Sequence, residues 1–383
     1  MASAAVVGAH VEDREACVFS AVTVSVDNLT QWAAESRQTV SRSAPDAEGR
    51  RATSVAIEPT DDHVVSVGDV EYRLTHRPSV TAAIRRRGGV SASAQDQAVI
   101  TASPSAAVSL DAALRTAVLV QDLVSLATNS AAGIISVGLD LAPSGAGPAG
   151  SRGMAGTCAL FQPAAVGDPD TRAIDGPEML FSCATVPFEE LMPAWCHLDE
   201  RVHPAIAMVL GLRYLSDQYV ETQLLVAAGA AEALHQALPH TNSPVPQEAF
   251  ASIREAALAQ VPEAYQGWFK SKIRNTPTLR DRLVDLAAHA DPEATGMLIP
   301  DAAEWARVTV RARNDLAHTG RSVAVSFEQL VAATEATRAL VLLDLLQELN
   351  VPGEEQHRVV RDNGWFRYAA RQADEHLRAA PPA

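Results

Sequence analysis

The stretch RARNDLAHTG, residues 311–320, carries the side chains best suited to chemistry in this sequence. It places two arginines, an asparagine and a histidine in the last turns of a predicted helix, just before a glycine. An imidazole can take up or release a proton near neutral pH, and a guanidinium can stabilise negative charge on a phosphate. The pattern therefore suits acid–base chemistry on a phosphodiester. The alternative is a solvated helix end, because R-x4-H spacing alone arises roughly once by chance in a chain of this composition.

Periodicity predicts one helix that begins at Asp301 and stops at Gly320. Glu304 follows Asp301 by three residues, which is a capping-box-like start, and glycine is a suitable residue just past a helix end. At about 100° per residue, an apolar stripe faces the core. Its members are Trp305, Val308, Ala312 and Leu316.

The opposite face of this helix is polar and consists of Arg307, Arg311, Asn314 and His318. Because Asn314 and His318 are four residues apart, the amide can orient the imidazole. Arg307 and Arg311 are predicted to position the substrate phosphates. Arg313 lies at the boundary between the two faces, so either Arg311 or Arg313 contacts the scissile phosphate.

The rest of the chain divides near residue 204, where the apolar period changes from strand-like to helical. Strands are predicted over 15–26, 51–59, 63–78 and 133–142, and Pro78 ends the third of them. A further strand is predicted within 178–195, ahead of a short helix. Helices are predicted after Asp27 or Asn28, over 109–128 and over 205–238, and then in shorter segments up to 378. The fold class is therefore α+β, with a strand-rich domain over 1–203 and an all-α helical bundle over 204–383. A basic turn over 84–89 and a glycine-rich loop over 142–156 interrupt the first domain.

Composition limits the classes of function. The formal net charge of −15 disfavours general binding of nucleic acid, so any such activity needs a local basic site. The four cysteines are widely spaced, and no cluster of histidine and acidic residues indicates a metal or another cofactor. The N-terminus lacks a signal-peptide pattern and no apolar run is long enough to cross a membrane, so a cytoplasmic location is expected.

RNDLAH, residues 313–318, resembles the R-x4-6-H motif of HEPN-domain ribonucleases, including the common polar residue after the arginine. The helix SDQYVETQLLVAAGAAEALHQAL resembles the first HEPN helix, where an acidic residue near the end, here Glu232, is typical. In the first half, FSAVTVSVDNLTQWAAES, LRTAVLVQDLVSLAT and MLFSCATVPFEELMPAW resemble the N-terminal domain of ApeA-like proteins. The resemblance therefore covers nearly the whole chain.

This resemblance implies a metal-independent endoribonuclease that acts as a homodimer and needs no cofactor. RNA, with tRNA among the candidates, would be cut with the ribose 2′-OH as nucleophile. His318 would be the general base or acid, Arg313 the stabiliser of the phosphorane-like state and Asn314 the residue that orients His318, while Glu232 supports the site. The resemblance also implies abortive anti-phage defence, with a phage-derived trigger sensed by the N-terminal domain. The alternative is a catalytically silent HEPN module for dimerisation or nucleotide binding.

Overall fold

The computed structural model describes residues 5–11, 13–35, 37–49, 51–85, 89–143, 157–161, 173–215, 218–239 and 243–379. Residues 86–88 of the predicted basic turn over 84–89 and residues 144–156 of the predicted loop over 142–156 lie outside these ranges. The fold is α+β, as predicted: an antiparallel sheet dominates the first part and helices the second.

Strands of the first part are β1 (Ala5–Val7), β2 (Phe19–Val26), β3 (Arg37–Arg42), β4 (Thr53–Glu58), β5 (His63–Val67), β6 (Val70–Arg85), β7 (Gly89–Pro104), β8 (Ile134–Leu141) and β9 (Thr157–Phe161). Among the described residues, β3 and β4 pair with each other, and the other strands form one sheet in the order β1-β9-β8-β2-β7-β6-β5. Neighbouring strands are antiparallel throughout. The alternating β-branched segments therefore form the sheet that the period of two predicts.

Two details of the predicted strands were wrong. Residues 63–78 contain a hairpin, because Gly68, with a φ of 58°, turns the chain between β5 and β6. Pro78 does not end a strand but pairs with Asp96 inside the β6–β7 ladder. Beyond Leu74, β6 pairs only with β7 among the described residues, and proline is tolerated on such an open edge because it has no N–H to donate.

Two helices cover one face of this sheet. They are α1 (Leu29–Ala33) and α2 (Leu110–Thr128), both at predicted positions, and the Ser109 side chain caps α2 by accepting from the Ala112 N–H at 3.3 Å. Phe19 of β2 and Trp32 of α1 are completely buried. Burial of this apolar face against α2 supplies the main stabilisation of the first part.

The second part contains α3 (Phe188–Gly211), α4 (Val220–Ala237), α5 (Gln247–Ala259), α6 (Glu263–Lys272), α7 (Leu279–Ala287), α8 (Pro292–Leu298), α9 (Ala302–Thr319), α10 (Phe327–Glu348), α11 (Gly353–Asp362) and α12 (Gly364–His376). The central helix is α10, which is buried along most of its length and contacts α3, α4, α9 and α12. Within the described residues, none of the helices combines the length and the apolar character needed to span a bilayer.

The structure corrects two predictions near the junction of the two parts. The helical run over 205–238 is interrupted between Gly211 and Val220, so it forms the end of α3 and all of α4. No strand forms in the described residues of 178–195. A 3-10 turn ends at Glu178, and the backbone carbonyls of Pro177 and Met179 accept hydrogen bonds from Arg358 at 2.8 and 2.9 Å. These carbonyls are therefore satisfied by a side chain and not by a sheet ladder.

The two parts share one hydrophobic core, which runs continuously from the sheet to the last helix. Trp195 of α3 is fully buried, and its Nε1 donates to the Leu119 carbonyl of α2 at 3.0 Å. The predicted division between 203 and 204 falls inside α3, one residue beyond Val202, whose backbone is not helical. The domain limits 1–203 and 204–383 stay a prediction.

Candidate active site at the end of helix α9

Local sequence determines both ends of α9. The Asp301 side chain accepts a hydrogen bond from the Glu304 N–H at 2.9 Å, and this bond to backbone lowers the pKa of Asp301. At the other end, Gly320 takes the left-handed conformation with φ 69°, and its N–H donates to the Leu316 carbonyl at 3.0 Å. The helix therefore begins and stops where the sequence predicts.

The predicted core face of α9 is confirmed. Trp305, Val308, Ala312 and Leu316 are all at most 5% exposed. The Trp305 Nε1 donates to Thr337 Oγ1 of α10 at 3.2 Å inside the core. This buried stripe anchors the helix, so the polar side chains of the last two turns start from a rigid backbone.

The opposite face is exposed, as predicted, at Arg307, Arg311, Asn314 and His318. Arg307 is not available as a free cation, because it makes a two-pronged ion pair with Glu304 at 2.6 and 2.7 Å. This pair raises the pKa of Arg307 and lowers that of Glu304. Arg311 makes no hydrogen bond or ion pair with another described residue, so its guanidinium is open to a substrate.

Arg313 reaches back from α9 towards α4. Its Nη2 lies 3.3 Å from the Glu232 carboxylate, and its Nη1 donates to Asn314 Oδ1 at 3.3 Å. The ion pair is only partly buried, with Arg313 33% and Glu232 27% exposed. Glu232 therefore holds the guanidinium at the edge of the polar face without enclosing it. We call Glu232, Arg311, Arg313, Asn314 and His318 the α9 site.

His318 projects from the last turn of α9 and is exposed. Within the described part of the chain its ring makes no hydrogen bond, and the Asn314 oxygen is engaged by Arg313. The five-residue spacing of Arg313 and His318 in this regular helix leaves them on different sides, and Asn314 lies between them. A role for Asn314 in orienting His318 stays a prediction.

The turn after His318 is held by two residues that sequence reasoning missed. Thr319 Oγ1 donates to the Asp315 carbonyl at 2.8 Å, and the Arg321 N–H donates to the same hydroxyl at 3.3 Å. The Asp315 carboxylate accepts from the Ala324 N–H at 3.3 Å. Short polar residues beside a helix-terminal glycine are a known signal of such a turn. They keep the chain beyond Gly320 folded back and leave His318 accessible.

The α9 site can transfer a proton through one imidazole and bind an anion through one open and one anchored guanidinium. Among the described residues, no group of three or more His, Cys, Asp or Glu side chains is placed to hold a metal ion.

Two family models match the chain. The family model described as Apea-like HEPN matches residues 225–355, which include Glu232 and the whole of α9. The model described as ApeA N-terminal domain 1 matches residues 1–195, the part built on the sheet. No curated protein and no solved structure matches the chain.

The two matches, one over the strand-rich part and one over the helical bundle, identify a defence-associated HEPN protein. HEPN domains are generally associated with ribonuclease activity, and they commonly dimerise and act on RNA. The chain belongs to the ApeA-like HEPN family, since the two matches together span most of its length.

Proposed function

We propose that this protein is a metal-independent endoribonuclease of abortive anti-phage defence. The observation that carries the proposal is the α9 site, in which an accessible imidazole and an open guanidinium extend from a helix anchored in the core. RNA is the proposed substrate, and tRNA is among the candidates. Because the chain as a whole carries an excess of acidic residues, RNA is attracted only at such local basic groups.

In the proposed reaction, a base removes the proton from a ribose 2′-OH and the resulting oxygen attacks the adjacent phosphorus. The bond from phosphorus to the 5′-oxygen breaks, and that oxygen takes up a proton. The products are a 2′,3′-cyclic phosphate and a 5′-OH. His318 supplies or removes the proton, Arg313 stabilises the charge on the pentacoordinate phosphorus, and Asn314 orients His318. Arg311 positions the phosphate from its exposed place on α9.

The active form is proposed to be a homodimer in which two α9 ends face each other across one RNA strand. One α9 site offers a single imidazole, whereas the reaction transfers protons at two oxygens. A second copy of His318 supplies the other acid–base group. Analytical ultracentrifugation is expected to show a dimer at the concentrations where cleavage is observed, and cleavage by a stable monomer would exclude this arrangement.

The N-terminal region is proposed to sense infection and to restrain the nuclease until a phage-derived trigger binds. The shared core of the two parts provides the physical connection, because a change in the sheet reaches the helices through α3. The domain limits 1–203 and 204–383 belong to this proposal.

The function is tested by comparing wild type with His318→Ala. Purified proteins are incubated with total RNA, with and without EDTA, and the ends of the fragments are examined for 2′,3′-cyclic phosphate. Wild type is expected to cleave equally well with EDTA, and His318→Ala to lose at least about a hundredfold in rate, the typical contribution of a positioned acid–base group. Growth arrest on overexpression should likewise be stronger with wild type than with His318→Ala.

A matched control is His376→Ala, since His376 also lies in the last turn of a helix, α12. This variant should cleave as wild type does. If wild type cleaves nothing and is not toxic, and His318→Ala behaves identically, the protein is instead a catalytically silent HEPN module for dimerisation or nucleotide binding. Cleavage that EDTA abolishes would indicate a metal hydrolase.

A further inference from the structure

A cavity of about 460 Å³ lies where the N-terminal region meets the last helices. Its walls include Asn129 and Ser130, just after α2, and Arg213, Trp365 and Arg367 from the helical part. The cavity is within the size range of small-molecule sites and much larger than a single ion requires. Its position is distinct from the α9 site, none of whose residues line it.

The charges beside this cavity do not balance. Two arginines, Arg213 and Arg338, place their guanidinium carbons 4.2 and 5.3 Å from the centre of the Trp365 ring. One carboxylate, Glu335, serves the group: it accepts from Arg338 at 3.0 Å and from the Trp365 Nε1 at 2.7 Å. We call Arg213, Arg338, Glu335 and Trp365 the buried arginine cluster. With Glu335 ionised and both arginines charged, its net charge is one positive unit.

Arg213 is the member of the cluster whose guanidinium makes no hydrogen bond or ion pair with a described residue. Its Nη2 is buried, and no hydrogen-bond acceptor among the described residues reaches it. Burial, reinforced by the nearby charge of Arg338, lowers the pKa of Arg213 to about 9. A guanidinium in this state costs free energy unless an anion accompanies it. Because Arg213 also lines the cavity, the space for that anion is next to it.

Asn129 contributes a second unsatisfied group. It ends α2 in the left-handed conformation with φ 50°, and its Oδ1 is buried without a hydrogen-bond donor among the described residues. A ligand that matches the cavity therefore carries an anion for Arg213 and a hydroxyl or amino donor for Asn129.

The carboxylates at the cavity wall are already engaged. Asp362 pairs with Arg361 at 2.9 Å, and the Glu178 Oε2 accepts from the Asp175 N–H at 3.2 Å. At the rim, Arg367 is exposed and adds a second cation. Since Arg361 pairs with Asp362, the cations Arg213 and Arg367 face one remaining carboxylate at the cavity wall, that of Glu178.

We propose that this cavity binds a small organic phosphate monoester of the size of a mononucleotide. The planar guanidinium of Arg213 matches two phosphate oxygens, Arg367 closes the rim, and Asn129 accepts from the organic part. Such a ligand contacts both regions of the protein at once, so its binding stabilises their docking. The inference does not depend on RNA cleavage at the α9 site, and its test has no nuclease readout.

The probes are the four common nucleoside monophosphates and glucose 6-phosphate, with adenosine and inorganic phosphate as controls. Binding is measured by isothermal calorimetry on the full chain and by the shift in thermal midpoint. At least one ester should bind and raise the midpoint, while adenosine and inorganic phosphate bind at least about tenfold more weakly, because each lacks one of the two matching groups. The ester that binds best distinguishes a nucleotide from a sugar phosphate. Failure of every ester, or equal binding of inorganic phosphate, overturns the proposal.

The decisive variant is Arg213→Met. It removes the unpaired cation and leaves Arg338 matched with Glu335, so the thermal midpoint of the unliganded protein should stay the same or rise. Affinity for the ester should fall at least about tenfold. A purely structural role of Arg213 predicts the opposite, a lower midpoint with unchanged ligand affinity.

Two milder variants keep the test independent of folding. Arg367→Ala removes only the rim cation, and Asn129→Gly removes the amide while retaining a residue that tolerates positive φ. Each should weaken binding several-fold. The control is Arg371→Ala, one turn beyond Arg367 on α12 and outside the cavity wall. If Arg371→Ala weakens binding as much as Arg367→Ala does, the effect is general surface charge and the proposal fails.

Discussion

The α9 site and the buried arginine cluster both bring arginines next to a single glutamate, but they do so in opposite surroundings. In the α9 site the paired arginine is partly exposed and its neighbours face solvent. In the buried arginine cluster both carboxylate oxygens accept hydrogen bonds, and two guanidinium nitrogens, Arg213 Nη2 and Arg338 Nε, are buried without an acceptor among the described residues. The same residue types therefore carry screened charge at one place and uncompensated charge at the other.

This difference indicates what each place can accept. An exposed set of charges without enclosing walls suits a long polyanion that brings its own counter-ions and releases them on binding. A buried, unbalanced charge beside a cavity suits a small anion that supplies the missing charge. One chain can therefore have a site for a polymer and a separate site for a small ligand.

The largest effect is expected from Arg313→Ala in the α9 site. Loss of a guanidinium that stabilises the charged phosphorus should lower kcat by about 100- to 1,000-fold. Arg311→Ala removes an exposed contact to the phosphate and should cost about tenfold. Single-turnover cleavage of one RNA by both variants measures the difference.

The control for these two variants is Arg115→Ala, an exposed arginine of α2 that should leave cleavage unchanged. The reverse order, with Arg311→Ala the more damaging variant, would assign the scissile phosphate to Arg311. In that case the pair of Arg313 with Glu232 would be structural. Arg311 would then be the arginine of the α9 site to compare with Arg213 of the buried arginine cluster.

A smaller effect is expected from Glu232→Gln, because Glu232 acts through Arg313. The amide keeps the shape of the side chain but loses the charge that holds the guanidinium. We expect kcat to fall about five- to tenfold with KM nearly unchanged. Since the ion pair is partly exposed, stability should change by at most about 1 kcal/mol. The measurement is a full titration of substrate together with a denaturant melt.

The matching control is Glu221→Gln, in the first turn of the same helix. Equal kinetics for Glu221→Gln and Glu232→Gln would show that the charge of Glu232 does not position Arg313. A change in KM alone would instead indicate that Glu232 affects RNA binding as such.

Local signals made α9 predictable. Its cap at Asp301, its apolar stripe and its stop at Gly320 all depend on neighbours within four residues. The same holds for α2, β2 and β8, whereas β7 was not predicted. The strand predicted within 178–195 was wrong, and the Met179 carbonyl at its start is taken by Arg358, far along the chain. Periodicity contains no information on such a distant partner.

In the candidate site, too, local signals were predictable and distant contacts were not. Spacing and family resemblance suggested His318, Arg313 and Glu232, but the pairing of Arg313 with Glu232 is a tertiary contact that the sequence alone could not place. The buried arginine cluster was not predicted at all, because Arg213, Arg338 and Trp365 are far apart in sequence and belong to no motif. A charged residue that helix packing buries can be recognised only when its neighbours are known.

The smallest effect is expected for a change in unfolding free energy at Asp344 of α10, another buried ionisable residue of the helical part. Asp344 is completely buried, and burial, together with the nearby Glu348, raises its pKa well above the usual value. The folded state therefore binds more protons than the unfolded state above about pH 4, so this residue lowers stability as pH rises. Asp344→Asn should raise the unfolding free energy at pH 8 by about 1 kcal/mol and flatten its dependence on pH. Asp374→Asn, at an exposed ion pair of α12, should change it by less than about 0.5 kcal/mol. A loss of stability in Asp344→Asn at pH 8 would mean that the ionised carboxylate is compensated, unlike Arg213 in the buried arginine cluster.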